Sequence, residues 1–174
     1  MNIVRIINGY LEENCYIIHD GKHALIVDPG SEKEKVINKI NELNLKVVGF
    51  LITHYHFDHV LILDELNSVY KTKIYDYRSN SKQIINNFNF QIIKNYGHTL
   101  DSVSFLFVKE KIMFTGDFLF KETIGNYEIV NENIMYESLK NIKKLDKSII
   151  IYPGHGDKSS VGYEIDNNPF LRGI

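Results

Sequence analysis

The stretch that decides the fold of this chain reads Thr53-His54-Tyr55-His56-Phe57-Asp58-His59. It follows an apolar run at positions 47–52, which predicts a buried strand that ends at the rim of a sheet. Three imidazoles and one carboxylate lie within the six positions from His54 to His59. Ligands of these types at this density suit a borderline divalent ion such as zinc, manganese or iron(II). The alternative is a polar loop that is merely rich in histidine, and the rest of the chain discriminates between the two.

The composition is that of a soluble globular protein. The chain has 174 residues, 44% hydrophobic and 24% charged, which predicts a single domain spanning residues 1–174. A formal net charge of −2 leaves no basic stripe for nucleic acid. The single cysteine, Cys15, excludes an internal disulfide and is expected to be a buried thiol in a reducing compartment. The N-terminus lacks signal-peptide features and the apolar runs are too short to span a bilayer, so we expect a cytoplasmic protein without membrane contact.

Short apolar runs bounded by turn residues predict a protein in which strands and helices are layered. Strands are predicted at 3–7, 15–19, 24–27, 46–52, 73–75, 90–94, 102–108, 111–114 and 148–152. The strands at 102–108 and 111–114 are expected to pair across a tight turn. The polar positions 79–89 are interpreted as a helix and a loop. The pattern indicates an α/β (α+β) fold.

Three helices are predicted from apolar positions that recur at helical intervals. The first begins after Gly30, with Ser31 as its N-cap and Glu34 at the spacing of a capping box. The second covers 60–70 and the third covers 132–145. Their predicted apolar faces are Val36, Ile37, Ile40 and Leu43 in the first, Leu61, Leu63, Leu66 and Val69 in the second, and Ile134, Leu139, Ile142 and Leu145 in the third.

Four separate predicted strands each lead into a potential metal ligand. These ligands are His54, His98, Asp117 and His155, and glycine flanks three of them. Glycine permits tight turns and close approach of the backbone. Because strand ends along one edge of a sheet commonly build a pocket, the regularity argues for a single site.

The complete set of candidate ligands is too large for one tetrahedral ion. It consists of His54, His56, Asp58, His59, His98, Asp117 and His155. Seven ligands suit two adjacent divalent ions that share a carboxylate and a water. Because structural zinc sites are usually rich in cysteine and closed, this set indicates a catalytic centre.

Asp28, His19 and His23 are polar residues outside this set of candidate ligands. Asp28 is either a turn carboxylate that caps Gly30 or Ser31, or a partner that orients a ligating histidine. His19 and His23 flank a turn and are interpreted as ordinary surface residues.

The ordered motifs resemble those of the metallo-β-lactamase superfamily, and within it the small hydroxyacylglutathione-hydrolase-like (glyoxalase II-like) proteins. The resemblance rests on the stretch 53–59 together with Gly97-His98-Thr99, Thr115-Gly116-Asp117 and Pro153-Gly154-His155-Gly156. It extends to Asn14-Cys15-Tyr16, Val27-Asp28-Pro29-Gly30, Tyr163-Glu164 and Asn168-Pro169-Phe170. The motifs cover almost the whole chain in a specific order.

The resemblance implies a four-layer αβ/βα sandwich with two divalent ions, usually zinc but also iron or manganese, at one edge. By position, His54, His56 and His98 would hold the first ion and Asp58, His59 and His155 the second, with Asp117 bridging them. The implied reaction is hydrolysis of a thioester or small acyl ester by a metal-bridging hydroxide, which the catalytic Asp58 would help to orient. The implied partner is a small-molecule substrate, and no separate organic cofactor is implied.

Some positions depart from the family pattern. Leu61-Ile62 stand where small relatives usually have Gly-Gly, and Gly125-Asn126 stand for the common Gly-Arg, leaving Lys121 as the nearest basic residue. Two alternatives stay open beside thioester hydrolysis. One is a mononuclear-iron oxidoreductase of the persulfide dioxygenase type, and the other is a phosphodiesterase or nuclease.

Overall fold

The computed structural model describes residues 1–127 and 132–174. Its strands are β1 (Asn2–Asn8), β2 (Glu13–His19), β3 (His23–Val27), β4 (Lys46–Leu51), β5 (Lys73–Tyr75), β6 (Lys82–Ile85), β7 (Phe88–Lys94), β8 (Val103–Phe107), β9 (Ile112–Gly116), β10 (Leu119–Phe120), β11 (Thr123–Ile124), β12 (Ile150–Pro153) and β13 (Ser159–Ser160). Its helices are α1 (Lys33–Glu42), α2 (Phe57–Val60), α3 (Leu63–Tyr70), α4 (Glu132–Ile142), α5 (Val161–Asn167) and α6 (Pro169–Arg172). Within these ranges, the helices fall short of the length and apolar character needed to cross a bilayer.

Most strands belong to two sheets. The first has the order β1-β2-β3-β4-β5 and the second has the order β13-β12-β9-β8-β7-β6. Parallel pairs join β3 to β4, β4 to β5, and β9 to β12, whereas the remaining neighbours are antiparallel. The short β10 and β11 form a separate antiparallel ribbon directly after β9.

Three apolar clusters define the layers. The first lies between the sheets and is rich in aromatic rings, such as Phe90, Phe105 and Phe114. A second packs the outer face of the first sheet against α1 and α3, and a third packs the outer face of the second sheet against α4, α5 and α6. This arrangement of helices, sheet, sheet and helices is the predicted four-layer αβ/βα sandwich, so the fold prediction is confirmed.

The side chains of β2 belong to two of these apolar clusters. Successive side chains of a strand point to opposite faces. Tyr16 and Ile18 therefore enter the cluster between the sheets, whereas Cys15 and Ile17 face the helices. Cys15 has no exposed surface, which confirms the predicted buried thiol.

The polar segment 79–89 was predicted wrongly as a helix and a loop. It forms β6 and the beginning of β7, which pair as an antiparallel hairpin from Lys82↔Gln91 to Ile85↔Phe88. Asn86 turns the chain with a φ of 50°. Backbone pairing with β7 supplies a stability that the polar side chains of β6 do not indicate.

The helices differ from the prediction in three respects. α1 begins at Lys33 after Glu32, without a side-chain hydrogen bond at its N-cap, so the predicted capping box of Ser31 and Glu34 is wrong. The single helix predicted at 60–70 is two helices, broken at residues 61–62, which leaves Leu61 and Val69 exposed. In α4, which ends at Ile142 rather than at 145, Ile134 is partly exposed and Met135 is buried instead.

The C-terminal segment folds back onto the loop after β9. Glu164 in α5 is fully buried, and its Oε2 accepts hydrogen bonds from the backbone N of Glu122 and from Asn168 Nδ2, at 2.8 and 2.9 Å. Asn168 also caps α6 through Phe170 N at 3.1 Å. These elements, for which the sequence analysis predicted no secondary structure, fix the ribbon that follows Asp117.

One edge of the sandwich collects the ends of β4, β7, β9 and β12. Hydrogen bonds join the two sheets there, from Val103 N to Thr53 O at 2.8 Å and from Asn14 N to Gly154 O at 2.7 Å. Loops that would otherwise be separate are thereby held close together at this edge.

Candidate metal centre

The structure brings all seven predicted ligands together at this edge. Their donor atoms form groups whose members lie within 4.8 Å of one another. We call His54, His56 and His98 the three-histidine group, and Asp58, His59 and His155 the mixed group. Each group combines two residues of the run 54–59 with one histidine from a distant loop, so the clustering is a property of the fold as well as of the sequence.

Asp117 lies between the two groups. Its Oδ1 is 3.3 Å from His59 Nε2, and its Oδ2 is 3.7 Å from His98 Nε2 and 3.6 Å from His155 Nε2. Asp117 also forms a compact group with His54 and His59. A carboxylate at this position can contact ions held by either group.

Hydrogen bonds at Nδ1 determine which nitrogen of most imidazoles is free. Nδ1 of His98 donates to the carbonyl of Asn126 at 2.8 Å, and Nδ1 of His155 donates to the carbonyl of Leu11 at 2.9 Å. A carbonyl oxygen accepts only, so these nitrogens carry hydrogen and, in the neutral ring, leave Nε2 as a lone-pair donor. Both Nε2 atoms point toward the other candidate ligands.

Asp28 imposes the same tautomer on two further histidines. Its Oδ2 accepts from His59 Nδ1 at 3.1 Å and from Thr53 Oγ1 at 2.6 Å. Because the Thr53 hydroxyl donates its hydrogen bond to Asp28, its oxygen accepts a hydrogen bond from His54 Nδ1 at 3.1 Å. Asp28 thus orients two histidines of the candidate metal centre, which agrees with the second of the two interpretations offered by the sequence.

His56 differs from the other histidines. Its Nδ1 lies 2.9 Å from His98 Nε2, the atom that the contact with Asn126 leaves as a lone pair. The contact is a hydrogen bond when Nδ1 of His56 carries the hydrogen, and the two nitrogens could instead both bind a divalent ion.

The pKa values of His54, His98 and Asp117 favour the forms that bind metals, whereas the pKa of His59 favours the protonated ring. Burial, reinforced by neighbouring imidazoles, lowers the pKa of His54, and burial also lowers the pKa of His98. Burial alone would raise the pKa of Asp117, but contact with His59 outweighs it and lowers that pKa. Burial likewise opposes protonation of His59, yet Asp117 and Asp28 outweigh it and raise the pKa of the ring.

Glu13 is a residue of this region that the sequence analysis missed. It is 1% exposed, and its Oε2 accepts from Asn8 Nδ2 at 3.1 Å, while Oε1 lies 3.9 Å from His59 Nδ1. Burial raises the pKa of Glu13 to about 9, despite the nearby His59. The available signal was a glutamate two residues before an apolar run, but the strand was predicted to begin only at Cys15.

Glycine is required where the backbone passes the ligands. A Cβ at Gly154 would lie 2.2 Å from Asp117 Oδ1 and 2.7 Å from His59 Cε1. A Cβ at Gly116, whose φ is +53°, would lie 2.3 Å from Thr53 Oγ1. The flanking glycines noted in the sequence thus make room for the ligands and for the Thr53 contact.

The donor atoms fit divalent ions. His54 Nε2, His59 Nε2 and Asp117 Oδ1 are buried without a hydrogen-bond partner. Unsatisfied buried donors and acceptors are costly and call for a missing partner. Nitrogen and oxygen donors without sulfur suit zinc, iron or manganese. The two groups on either side of Asp117 provide room for two such ions.

The two remaining histidines lie away from this site. His19 ends β2 and His23 begins β3, where Nδ1 of His23 lies 3.3 Å from Asp20 Oδ2. Both are half-buried rather than fully at the surface, which corrects part of the prediction. Lys121 contacts the Tyr163 ring, with 5.8 Å between its Nζ and the ring centroid.

Comparison with known proteins places the chain in context. The family model described as the metallo-beta-lactamase superfamily matches residues 9–84 and 84–155. Hydroxyacylglutathione hydrolase GloC of Haemophilus influenzae is 30% identical, over 98% of this chain and 98% of that protein.

Solved structures agree with the fold. The BLEG-1 B3 metallo-beta-lactamase superposes with a TM-score of 0.92 at 26% identity, over 98% of this chain and 99% of that one. A second structure, TTHA1623 in a di-iron-bound form, has a TM-score of 0.87 at 26% identity, over 97% and 100% of the two chains. These similarities extend over nearly the full length of the chain.

Proposed function

The chain belongs to the metallo-beta-lactamase superfamily, and from this premise we propose that it is a dinuclear-metal-dependent hydrolase of a thioester or small acyl ester. The observation that carries the proposal is the placement of two three-donor groups on opposite sides of Asp117. The similarity to a hydroxyacylglutathione hydrolase supports the thioester as the substrate class.

We assign one ion to the three-histidine group and one to the mixed group, with Asp117 contacting both. When bound, the two ions would supply Lewis-acid activation of a water molecule and of the substrate carbonyl. Zinc fits the donor set best, and iron or manganese also fit it. The di-iron form of TTHA1623 supports iron as an alternative.

Asp58 is the proposed catalytic residue of the chain. Its Oδ2 lies 3.3 Å from His155 Nε2 and 3.6 Å from His59 Nε2, and 15% of the side chain is exposed. A carboxylate that is both beside the ligands and open to solvent can orient the attacking water and accept its proton at Oδ2.

The departing group makes few demands on the protein. A thiol has a pKa of about 8.5, so a thiolate leaves without a strong general acid. The titratable side chains of the site are mainly the histidines and carboxylates that would bind the proposed ions. This favours a thioester over substrates whose leaving group must be protonated.

The mixed group also bears on the dioxygenase alternative. A mononuclear iron site needs only one set of ligands. Here Asp58, His59 and His155 form a second set with its own anchors at Asp28 and Leu11. A complete second set favours the dinuclear hydrolase.

The test is elemental analysis of protein purified without added metal, paired with a thioester assay on the same sample. We expect close to two equivalents of metal and release of thiol that a chelator abolishes. A single equivalent of iron, no hydrolysis and oxygen consumption with a persulfide would establish the dioxygenase instead. Two bound metals without activity on any thioester of a broad panel would refute the thioester assignment.

We also propose that residues 1–174 act as one catalytic domain on a small molecule, without nucleic acid or membrane as partner. A cytoplasmic location is proposed because the single thiol, Cys15, is buried and has no partner cysteine in the sequence. Cell fractionation tests the location, and limited proteolysis tests the domain organisation.

A further inference from the structure

A pocket of about 310 Å³ adjoins the mixed group. It is lined by Asn8, Gly9, Tyr10, Leu11, Glu13, Ser31, Phe57, Asp58 and Leu61. A water molecule takes up about 30 Å³ in the liquid, so the pocket has room for roughly ten non-hydrogen atoms of similar size. This is the size of a short acyl chain with its carbonyl group.

The walls of this pocket carry large apolar side chains that are unusually exposed. Tyr10 is 98% exposed, Phe57 67%, Leu61 61% and Leu11 46%. Phe57 and Leu61 are four residues apart at α2, so they lie on the same side of it. Scattered exposed apolar residues are ordinary, but a contiguous group beside a reactive centre marks a ligand surface.

The pocket is continuous with the proposed reacting atoms. Asp58, which lines it, has its Oδ2 3.3 Å from His155 Nε2. Leu11, also in the lining, accepts the hydrogen bond of His155 Nδ1 through its carbonyl at 2.9 Å. A group bound in the pocket therefore lies next to the position at which a substrate carbonyl would react.

The charge of the lining restricts the occupant. The charged residue types among the lining residues are both acidic, Glu13 and Asp58, and none of the lining residues is a cation. The lining therefore offers a carboxylate or phosphate no cationic side chain to pair with. Biological thiol carriers generally bear such groups, so the uncharged acyl half of a thioester is the better fit.

We propose that this pocket is the acyl subsite and that it selects thioesters with an uncharged, apolar acyl chain of about four to six carbons. The inference rests on the proposed thioester hydrolysis and adds its specificity. Leu61 and Phe57 are the specificity-determining side chains, because they form the apolar wall next to Asp58.

The first experiment measures kcat/KM for N-acetylcysteamine thioesters from acetyl to octanoyl. We expect an increase of about fourfold per methylene up to about six carbons, since each buried methylene contributes a nearly constant increment. Leu61→Ala and Phe57→Ala should each reduce the preference for hexanoyl over acetyl by about tenfold.

The matched control is Val69→Ala, which truncates a side chain that is 59% exposed on α3 and outside the pocket. This variant should retain the chain-length profile of the wild type. A flat wild-type profile with good acetyl hydrolysis would overturn the acyl subsite and leave the proposed function standing. Sensitivity to Leu61→Ala with S-hexyl thioacetate, but not with hexanoyl thioesters, would assign the pocket to the thiol half and also overturn the inference.

A binding measurement gives a readout that does not depend on activity. Calorimetry with S-methyl to S-hexyl N-acetylcysteamine thioethers should show a Kd that falls with chain length, both with and without added zinc. Leu61→Ala should remove most of this dependence, whereas Val69→Ala should preserve it. A Kd independent of chain length would overturn the inference; the expected dependence in a protein without thioesterase activity would support the apolar subsite while refuting the proposed reaction.

Discussion

The three-histidine group and the mixed group are built from similar ligands but supported in different ways. In the three-histidine group, His54 is anchored by the hydroxyl of Thr53 and His98 by the carbonyl of Asn126. In the mixed group, His59 donates directly to the buried carboxylate of Asp28. Neutral anchors therefore serve His54 and His98, whereas the mixed group combines the carboxylate of Asp28 at His59 with the neutral carbonyl of Leu11 at His155. Asp28 reaches His54 as well, but only through Thr53.

The difference implies that the two proposed ions are not equivalent. A carboxylate that accepts a hydrogen bond from a ligating imidazole fixes its tautomer and raises its basicity more than a hydroxyl does. The mixed group also contains the carboxylate of Asp58, whereas the three-histidine group consists of imidazoles alone. A substitution that removes one anchor should therefore weaken metal binding more in the group that this anchor supports than in the other group.

The largest effect is expected from Asp117→Ala, which removes the contact common to both groups. We expect kcat/KM for the best thioester to fall by at least about a thousandfold, because charge stabilisation at both ions is altered at once. Elemental analysis should find one metal equivalent fewer. A variant that keeps two equivalents and the full rate would contradict the dinuclear assignment.

Gly154→Ala should have the next largest effect, because it displaces Asp117 and His59 without removing either. The added Cβ would meet Asp117 Oδ1 at 2.2 Å and His59 Cε1 at 2.7 Å, so these ligands must move. A displacement of about 1 Å can cost roughly a hundredfold in rate, and we expect a loss of that size in kcat/KM.

The control for this substitution is Gly156→Ala. Gly156 has a φ of +72°, but a Cβ there would meet nothing within 4 Å. Backbone strain of about 1–2 kcal/mol should lower its Tm while leaving most of the activity. Equal losses of activity in both variants would mean that any added methyl group beside His155, rather than crowding of Asp117 and His59, explains the effect at Gly154.

Asp28→Asn tests the difference in support most directly. Asparagine tolerates the φ of 43° at this position, but its amide presents NH₂ where Asp28 Oδ2 accepts from His59. His59 would then favour hydrogen on Nε2 and lose its lone pair for the ion. We expect the affinity for one metal equivalent to fall by about 10–100-fold, with a smaller change for the other.

A metal titration followed by calorimetry distinguishes the two steps in the Asp28→Asn variant. Unequal weakening is expected because His59 contacts Asp28 directly, whereas His54 is reached only through Thr53. If the affinity for both metal equivalents fell equally, the contact of Asp28 with His54 through Thr53 would affect metal binding as much as its direct contact with His59. The distinction between the two groups would then be wrong.

The same contrast explains what could be predicted from the sequence. The clustered residues follow strands with apolar runs, and buried strands that end at a shared edge bring such residues together. The anchors were harder to predict because they include backbone carbonyls, such as those of Leu11 and Asn126, whose role depends on tertiary structure. Asp28 could be assigned only as one of two alternatives for the same reason.

Strands and helices in which apolar residues do not recur at regular intervals could not be predicted from the sequence, for a related reason. β6 is held by pairing with β7, and α5 is fixed by the buried Glu164, so neither depends on an amphipathic pattern alone. The break between α2 and α3 leaves Leu61 outside the core, although its spacing predicted a buried face. Periodicity indicates which residues are apolar but not which of them the fold leaves exposed for a ligand.

The smallest effect is expected from His19→Ala, which removes a histidine outside both groups. His19 ends β2, and at about 3.4 Å per residue it lies roughly 20 Å along that strand from Glu13. Its Nδ1 is buried without a hydrogen-bond partner, so truncation also removes an unsatisfied polar atom. We expect kcat/KM and metal content to change less than about twofold, and little change in Tm, because the lost packing is offset by the loss of that atom. The same assays used for Asp28→Asn check this, and a large loss of activity would mean that the functional site extends along β2 beyond the two groups.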